Sequence, residues 1–88
     1  MPIHYHKRFL KDLADIPAKQ RATIEKLVFQ KFQTEVHVVQ SGKLEKLKGY
    51  NIYYKIKVGN YRIGVKIDDH VLSFERILHR KEIYKFYP

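Results

Sequence analysis

Two alternating runs joined by a Gly-Asn pair constrain this chain more than any other feature. Ile52, Tyr54, Ile56 and Val58 alternate with Tyr53, Lys55 and Lys57, and beyond Gly59-Asn60, Tyr61, Ile63, Val65 and Ile67 alternate with Arg62, Gly64 and Lys66. A period of two on both sides of such a pair predicts a β-hairpin. A two-residue turn also sets its register: Val58 opposite Tyr61, Lys57 opposite Arg62, Lys55 opposite Gly64. One face then carries Lys55, Lys57 and Arg62. The other carries Tyr54, Ile56, Val58, Ile63, Val65 and Ile67 and must be covered. Like charges directly opposite one another are unfavourable, so the cationic face needs a solvated edge or a bound anion. Gly64, opposite Lys55, either leaves room for a ligand backbone or marks a bulge.

The remaining segments supply the cover. Phe9, Leu10 and Leu13 fall on one helical face. Asp15-Ile16-Pro17 breaks that helix, with Asp15 placed to cap the next and Pro17 suited to a first turn. A second helix is predicted over 18–32, with Ile24, Leu27, Val28 and Phe32 as its apolar stripe. Together they read as an antiparallel helical hairpin. Residues 2–6 suit a short first strand. Thr34 to Ser41 is compatible with extended or irregular backbone, and Lys43 to Gly49 reads as a basic connector. A third strand is predicted from Val71 to Leu78. An even turn before it would put Ser73, Glu75, Ile77 and His79 on the cationic face, and an odd turn would put Leu72, Phe74, Arg76 and Leu78 there. In either register His79, Arg80 and Tyr84, at the end of this strand and just beyond it, are expected to reach the same surface, and Arg80 to Phe86 has room for one helical turn. The expected fold is α+β: an N-terminal helical hairpin packed on a twisted antiparallel sheet of three to four strands.

Charge says what such a sheet can meet. Among 88 residues there are 18 lysines and arginines against 9 acids, a formal charge of +9. A small domain so charged favours polyanionic partners. Between Lys43 and Lys66 lie seven basic residues and one acid, Glu45, interleaved with Tyr50, Tyr53, Tyr54 and Tyr61. Basic groups neutralise phosphates and aromatic faces stack bases. Lys43, Lys46, Lys48, Lys66 and Lys81 are the expected peripheral nucleic-acid contacts. Cysteine is absent, which excludes disulfides and thiolate zinc sites. His4-x-His6 is too little for a metal site, and Asp68-Asp69 suits a turn. No phosphate-binding glycine loop, nucleophile elbow or dinucleotide fingerprint occurs. No cofactor is expected. The first residues lack the apolar stretch of a signal peptide and no run approaches a membrane span, so the expected compartment is the cytosol.

Lys46-Leu47-Lys48-Gly49, Tyr54 to Ile63 with its Gly59-Asn60-Tyr61-Arg62, and His79-Arg80-Lys81-Glu82-Ile83-Tyr84 together resemble the RelE/ParE superfamily of type II toxins, in its RelE branch. The likeness covers nearly the whole chain, as one domain over residues 1–88. It implies a ribosome-dependent mRNA endonuclease held inactive by a cognate RelB-like antitoxin, with ribosome and mRNA as further partners and no membrane. The branch's pattern of two strand lysines, an arginine on the next strand, and a C-terminal arginine and tyrosine falls on Lys55, Lys57, Arg62, Arg80 and Tyr84. The ParE branch, whose members poison DNA gyrase, generally lacks this full set.

The chemistry is physically coherent. RNA brings its own nucleophile, the 2′-hydroxyl beside the scissile phosphate. Cleavage then needs a base, cations on the charged phosphorane, and an acid for the leaving 5′ oxygen. Lys55 is the candidate base, since adjacent cations disfavour a further positive charge. Lys57, Arg62 and Arg80 are candidate phosphate clamps. Tyr84 can stack a base or orient the nucleophile, and His79 can serve as acid or base. Each residue has an ordinary alternative: a solvated strand lysine, an Arg62–Glu75 ion pair, a polar tail, a half-buried histidine. The rival functions are a gyrase inhibitor and a non-catalytic basic RNA-binding module.

Overall fold

In a computed structural model, which describes residues 3–88, the hairpin forms in the expected register. Strands β3 (Tyr53–Val58) and β4 (Tyr61–Asp68) pair Val58 with Tyr61, Lys57 with Arg62 and Lys55 with Gly64. Gly59 takes the positive φ, 57°, that the tight turn demands. The sheet is larger than expected and mixed. Its order is β1-β5-β4-β3-β2, with β1 (His4–Tyr5) parallel to β5 (Val71–His79) and every other pair antiparallel. The predicted first strand is thus present only at His4–Tyr5; Ile3 and His6 fall outside it, and Pro2 lies outside the described residues. Strand β2 (Leu44–Lys46) occupies what reads as a connector. Three residues are too few to show a period of two, and two of the three are charged, as edge strands often are.

The helices cover one face. Helices α1 (Lys7–Ala14) and α2 (Ala18–Glu25) follow β1. Asp15 ends α1 through its backbone N–H, and α2 starts at Pro17 with no side-chain cap, so the expected Asp15 cap on α2 is not made. The second helix does not stay α-helical to residue 32. Over Lys26–Lys31 it widens into a π turn, closed by the Phe32 N–H donating to the Leu27 carbonyl at 2.9 Å. Ile24, Val28 and Phe32 are spaced by four, which overshoots the 3.6-residue α repeat. The wider turn absorbs the overshoot and keeps all three buried. Helix α3 (Glu35–Gln40) forms where the sequence is ambiguous, because the Thr34 hydroxyl accepts the His37 N–H at 3.2 Å. These elements bring Phe9, Leu13, Ile24, Val28, Phe32 and Val38 against Ile56, Ile63, Val65, Leu72, Phe74 and Ile77 in one core.

Strand β5 follows neither the even nor the odd register throughout. A two-residue turn at Asp69 and His70, both at positive φ, pairs Asp68 with Val71 and Lys66 with Ser73. A bulge between Gly64 and Val65 then leaves Glu75 as the extra residue, and beyond it Gly64 pairs with Arg76 and Arg62 with Leu78. Near the turn the even set holds, and past the bulge the odd set does. Leu72 and Phe74 before the bulge, and Ile77 after it, all reach the helix-covered core. At the outer edge of β5 the Asp12 carboxylate of α1 accepts from Arg76 Nε at 2.8 Å and from the Ile77 N–H at 3.0 Å.

The opposite face has a smaller cover. After β5 the chain turns back as α4 (Ile83–Phe86), and Leu47, Leu78, Ile83 and Tyr87 form a second apolar cluster with Tyr53 beside it.

Candidate functional site

Gly64 connects the fold to the site. A Cβ there would stand 2.8 Å from the Tyr87 ring. The space is therefore taken by the chain's own tail, not left for a ligand backbone, and the same glycine also borders the bulge. The Tyr87 hydroxyl donates to the Glu75 carboxylate at 2.9 Å. Burial first, then that bond and the carboxylate's charge, hold the Tyr87 phenol well above its usual range. Tyr87 is thus a neutral anchor that fixes the tail to the middle of the sheet. The Glu75 carboxylate is engaged here, so the Arg62–Glu75 pair does not form. Arg62 instead donates through Nη1 to the carbonyls of Gly59 and Tyr61, at 2.9 Å each.

Anchored in this way, α4 brings Tyr84 over Lys55. The Lys55 ammonium lies 4.6 Å from the Tyr84 ring centroid and hydrogen-bonds to its hydroxyl. Glu45, opposite Lys55 on β2, stands 3.9 Å away. Tyr84 itself is 69% exposed, a large exposure for an aromatic ring and one that leaves it open to a partner. Lys57 sits two residues along β3 beside Arg62, and Arg80 is exposed at the exit of β5, its N–H donating to the Asn60 carbonyl at 2.8 Å. Four of the five pattern residues thus come from β3, β4 and the tail that crosses them, and the Arg80 backbone is tied to the turn joining those strands.

His79 is placed differently. It pairs with Tyr61, and their rings meet edge to face at 6.0 Å between centroids. Both follow the alternation of Ile63 and Ile77, toward the helices. The bulge puts His79 on the side away from Lys55. Its Nδ1 accepts the Lys81 N–H at 3.2 Å, leaving Nε2 free. Among the peripheral lysines, Lys66 pairs with Tyr53 on the cationic side, Lys46 pairs with Tyr54 on the helix side, Lys43 precedes β2, and Lys48 and Lys81 are exposed in turns. Glu45, Glu75 and Tyr87 were not singled out from sequence as parts of the site. The one available signal was the acid within an otherwise basic stretch. Among the described residues no group of three histidines, cysteines or carboxylates is placed to hold a metal ion.

Residues 3–84 match the family model described as "ParE toxin of type II toxin-antitoxin system, parDE". The chain belongs to the RelE/ParE family of type II toxins. Within this toxin family it is 41% identical over 90 residues to Toxin RelE3 of Methanocaldococcus jannaschii, with 100% of both chains covered. It is 27% identical over 85 residues to Putative toxin RelE1 of the same organism, covering 94% of this chain and 93% of that one. Among solved structures, the RelB-RelE antitoxin-toxin complex from Methanococcus jannaschii matches with a TM-score of 0.71 and 36% identity, over 98% of this chain and 100% of that one. A mutant E. coli toxin RelE in the free state shares the fold at a TM-score of 0.65 and 24% identity, over 96% of this chain and 90% of that one. No helix among the described residues is long and apolar enough to cross a membrane.

Proposed function

We propose that this toxin is a ribosome-dependent mRNA endonuclease of the cytoplasm, restrained by a RelB-like antitoxin. The observation that carries the reading is the convergence of Lys55, Lys57, Arg62 and Tyr84, with Arg80 at the hairpin turn. These donors suit a phosphate and its developing negative charge. Lys55, as the neutral amine and held by Tyr84, takes the 2′-hydroxyl proton. The oxygen attacks the adjacent phosphorus, and the bond to the 5′ oxygen of the next nucleotide breaks as that oxygen takes up a proton from solvent. The products are a 2′,3′-cyclic phosphate and a 5′-hydroxyl. Arg62, Arg80 and Lys57 hold the phosphorane. Exposed Tyr84 stacks a base of the mRNA in the decoding site. The whole-chain likeness to RelE toxins supports this reading, and the RelB-RelE complex supports the antitoxin partner.

Primer extension on mRNA programmed into ribosomes tests it, with Lys55→Ala and Arg80→Ala beside the wild type. A cut that depends on the ribosome and on both residues is expected. No cut by wild type would overturn the nuclease reading, and a cut that survives both substitutions would overturn the residue roles. The family description as ParE toxin favours one second reading, inhibition of DNA gyrase, which a supercoiling assay with purified gyrase would detect.

A further inference from the structure

The helix side of the hairpin tip holds two adjoining cavities outside the Lys55 cluster. One, of about 350 Å³, is lined by Gln20, Thr23, Ile24, Val58, Asn60 and His79, with Gly59 and Tyr61 completing it. The next, of about 420 Å³, is lined by Lys26, Lys31, Lys43 and Lys57 around Leu27. They share Thr23, Val58 and Gly59 and so form one trough. Its two halves differ in chemistry. The first has an apolar floor in Ile24 and Val58, aromatic walls in Tyr61 and His79, and amide and hydroxyl groups from Gln20, Asn60 and Thr23. With Nδ1 engaged by the Lys81 N–H, neutral His79 keeps its proton on Nε2 as a donor. The second half is lined by four lysines.

We propose that this trough binds a nucleotide of single-stranded RNA, its base in the first half and its phosphate on Lys26, Lys31 and Lys43. This rests on the nuclease reading for the identity of the substrate. Size agrees, since small-molecule sites run about 300–1,000 Å³. Chemistry agrees as well, because single-stranded binding joins a cationic track to aromatic stacking surfaces, and base edges are read by amides. Position agrees too. The Gly59-Asn60 turn that forms one wall also holds Arg62 through the Gly59 carbonyl and Arg80 through the Asn60 carbonyl. Lys57 belongs to both surfaces. A strand passing around the hairpin tip would place a phosphate on the cationic face and a neighbouring base in the trough. This assigns His79 to base recognition on the far side of the sheet from Lys55, and it makes the trough a determinant of sequence preference.

The test is titration of the isotopically labelled full chain with each of the four nucleoside 5′-monophosphates, followed by amide NMR shifts. Inorganic phosphate and ribose 5-phosphate are the controls. At least one nucleotide is expected to shift Gln20, Thr23, Asn60 and His79 together with Lys26 and Lys31, and the controls only the lysines. Thr23→Trp, at an exposed position, should fill the base half and weaken nucleotide binding at least tenfold, with an unchanged circular dichroism spectrum. Lys26→Ala with Lys31→Ala should reduce the salt dependence of single-stranded RNA binding by a slope of about two. Shifts confined to the Lys55 face would overturn the proposal, as would trough shifts with a short polyglutamate peptide and none with any nucleotide. No ribosome enters these titrations, so a failed cleavage assay and a failed pocket are separate results.

Discussion

The two faces of the sheet are built on opposite terms. The helix-covered face buries Phe9, Ile24, Val28, Val38, Ile56, Ile63, Val65, Leu72 and Phe74 completely. The other face is only partly closed, by Leu47, Leu78, Ile83 and Tyr87, and the rest of it displays Lys55, Lys57, Arg62 and Lys66. The first face holds the fold together. The second gives up burial to keep Lys57 and one aromatic ring exposed, with Lys55 tucked beneath that ring, and a four-residue helix pinned by one tyrosine keeps them in place. Stability and activity should therefore be separable by face.

The largest effect expected on the covered face is from Phe74→Ala. Removing a fully buried aromatic ring should cost about 3–5 kcal/mol in denaturant unfolding. On the open face, Lys55→Ala should lower the cleavage rate by about 10²–10⁴-fold without moving the unfolding midpoint. A stability loss as large as that of Phe74→Ala would break the separation.

Gly64→Ala acts on the open face, where the tail is seated. The new methyl would press on the Tyr87 ring, and overpacking of this kind costs about 1–3 kcal/mol. Cleavage should fall along with stability because Tyr84 moves with the tail, and Tyr84 exposure measured by chemical modification should change. The smallest effect concerns pH. Tyr87 keeps its proton more tightly in the folded state. Its contribution is complete below the unfolded value near 10 and falls away above it, as the unfolded chain releases a proton the folded chain retains. Tyr87→Phe should reduce the alkaline slope of stability by about one proton. An unchanged slope would show that the anchor is not buried as described.

How far the sequence reached also divides by element. The hairpin register was legible because period two and a two-residue turn leave one solution. That placed Lys55, Lys57 and Arg62 together, and the resemblance added Arg80 and Tyr84. Gly64 signalled a bulge as one of two readings, and a bulge is there, but that Glu75 would be the extra residue was not legible. A single extra residue keeps the hydrophobic count and only switches its phase, which is why His79, expected to reach the Lys55 surface, lies on the other side. Val36, Val38 and Val39 favour extended backbone, but the Thr34 cap and burial of Val38 outweigh that preference. Leu44–Lys46 gave no periodic signal, and with it went the Glu45–Lys55 contact. Gly64 was visible as a missing side chain, yet what fills the space is Tyr87, 23 residues later, a distance no local pattern spans.

The most direct test of the central claim is to measure cleavage of ribosome-bound mRNA and unfolding midpoint in parallel on wild type, Lys55→Ala and Arg80→Ala. The account predicts a ribosome-dependent cut with a 5′-hydroxyl end for wild type, lost in both variants at unchanged midpoints. Cleavage undiminished in both variants, or lost only in step with the fold, would contradict it.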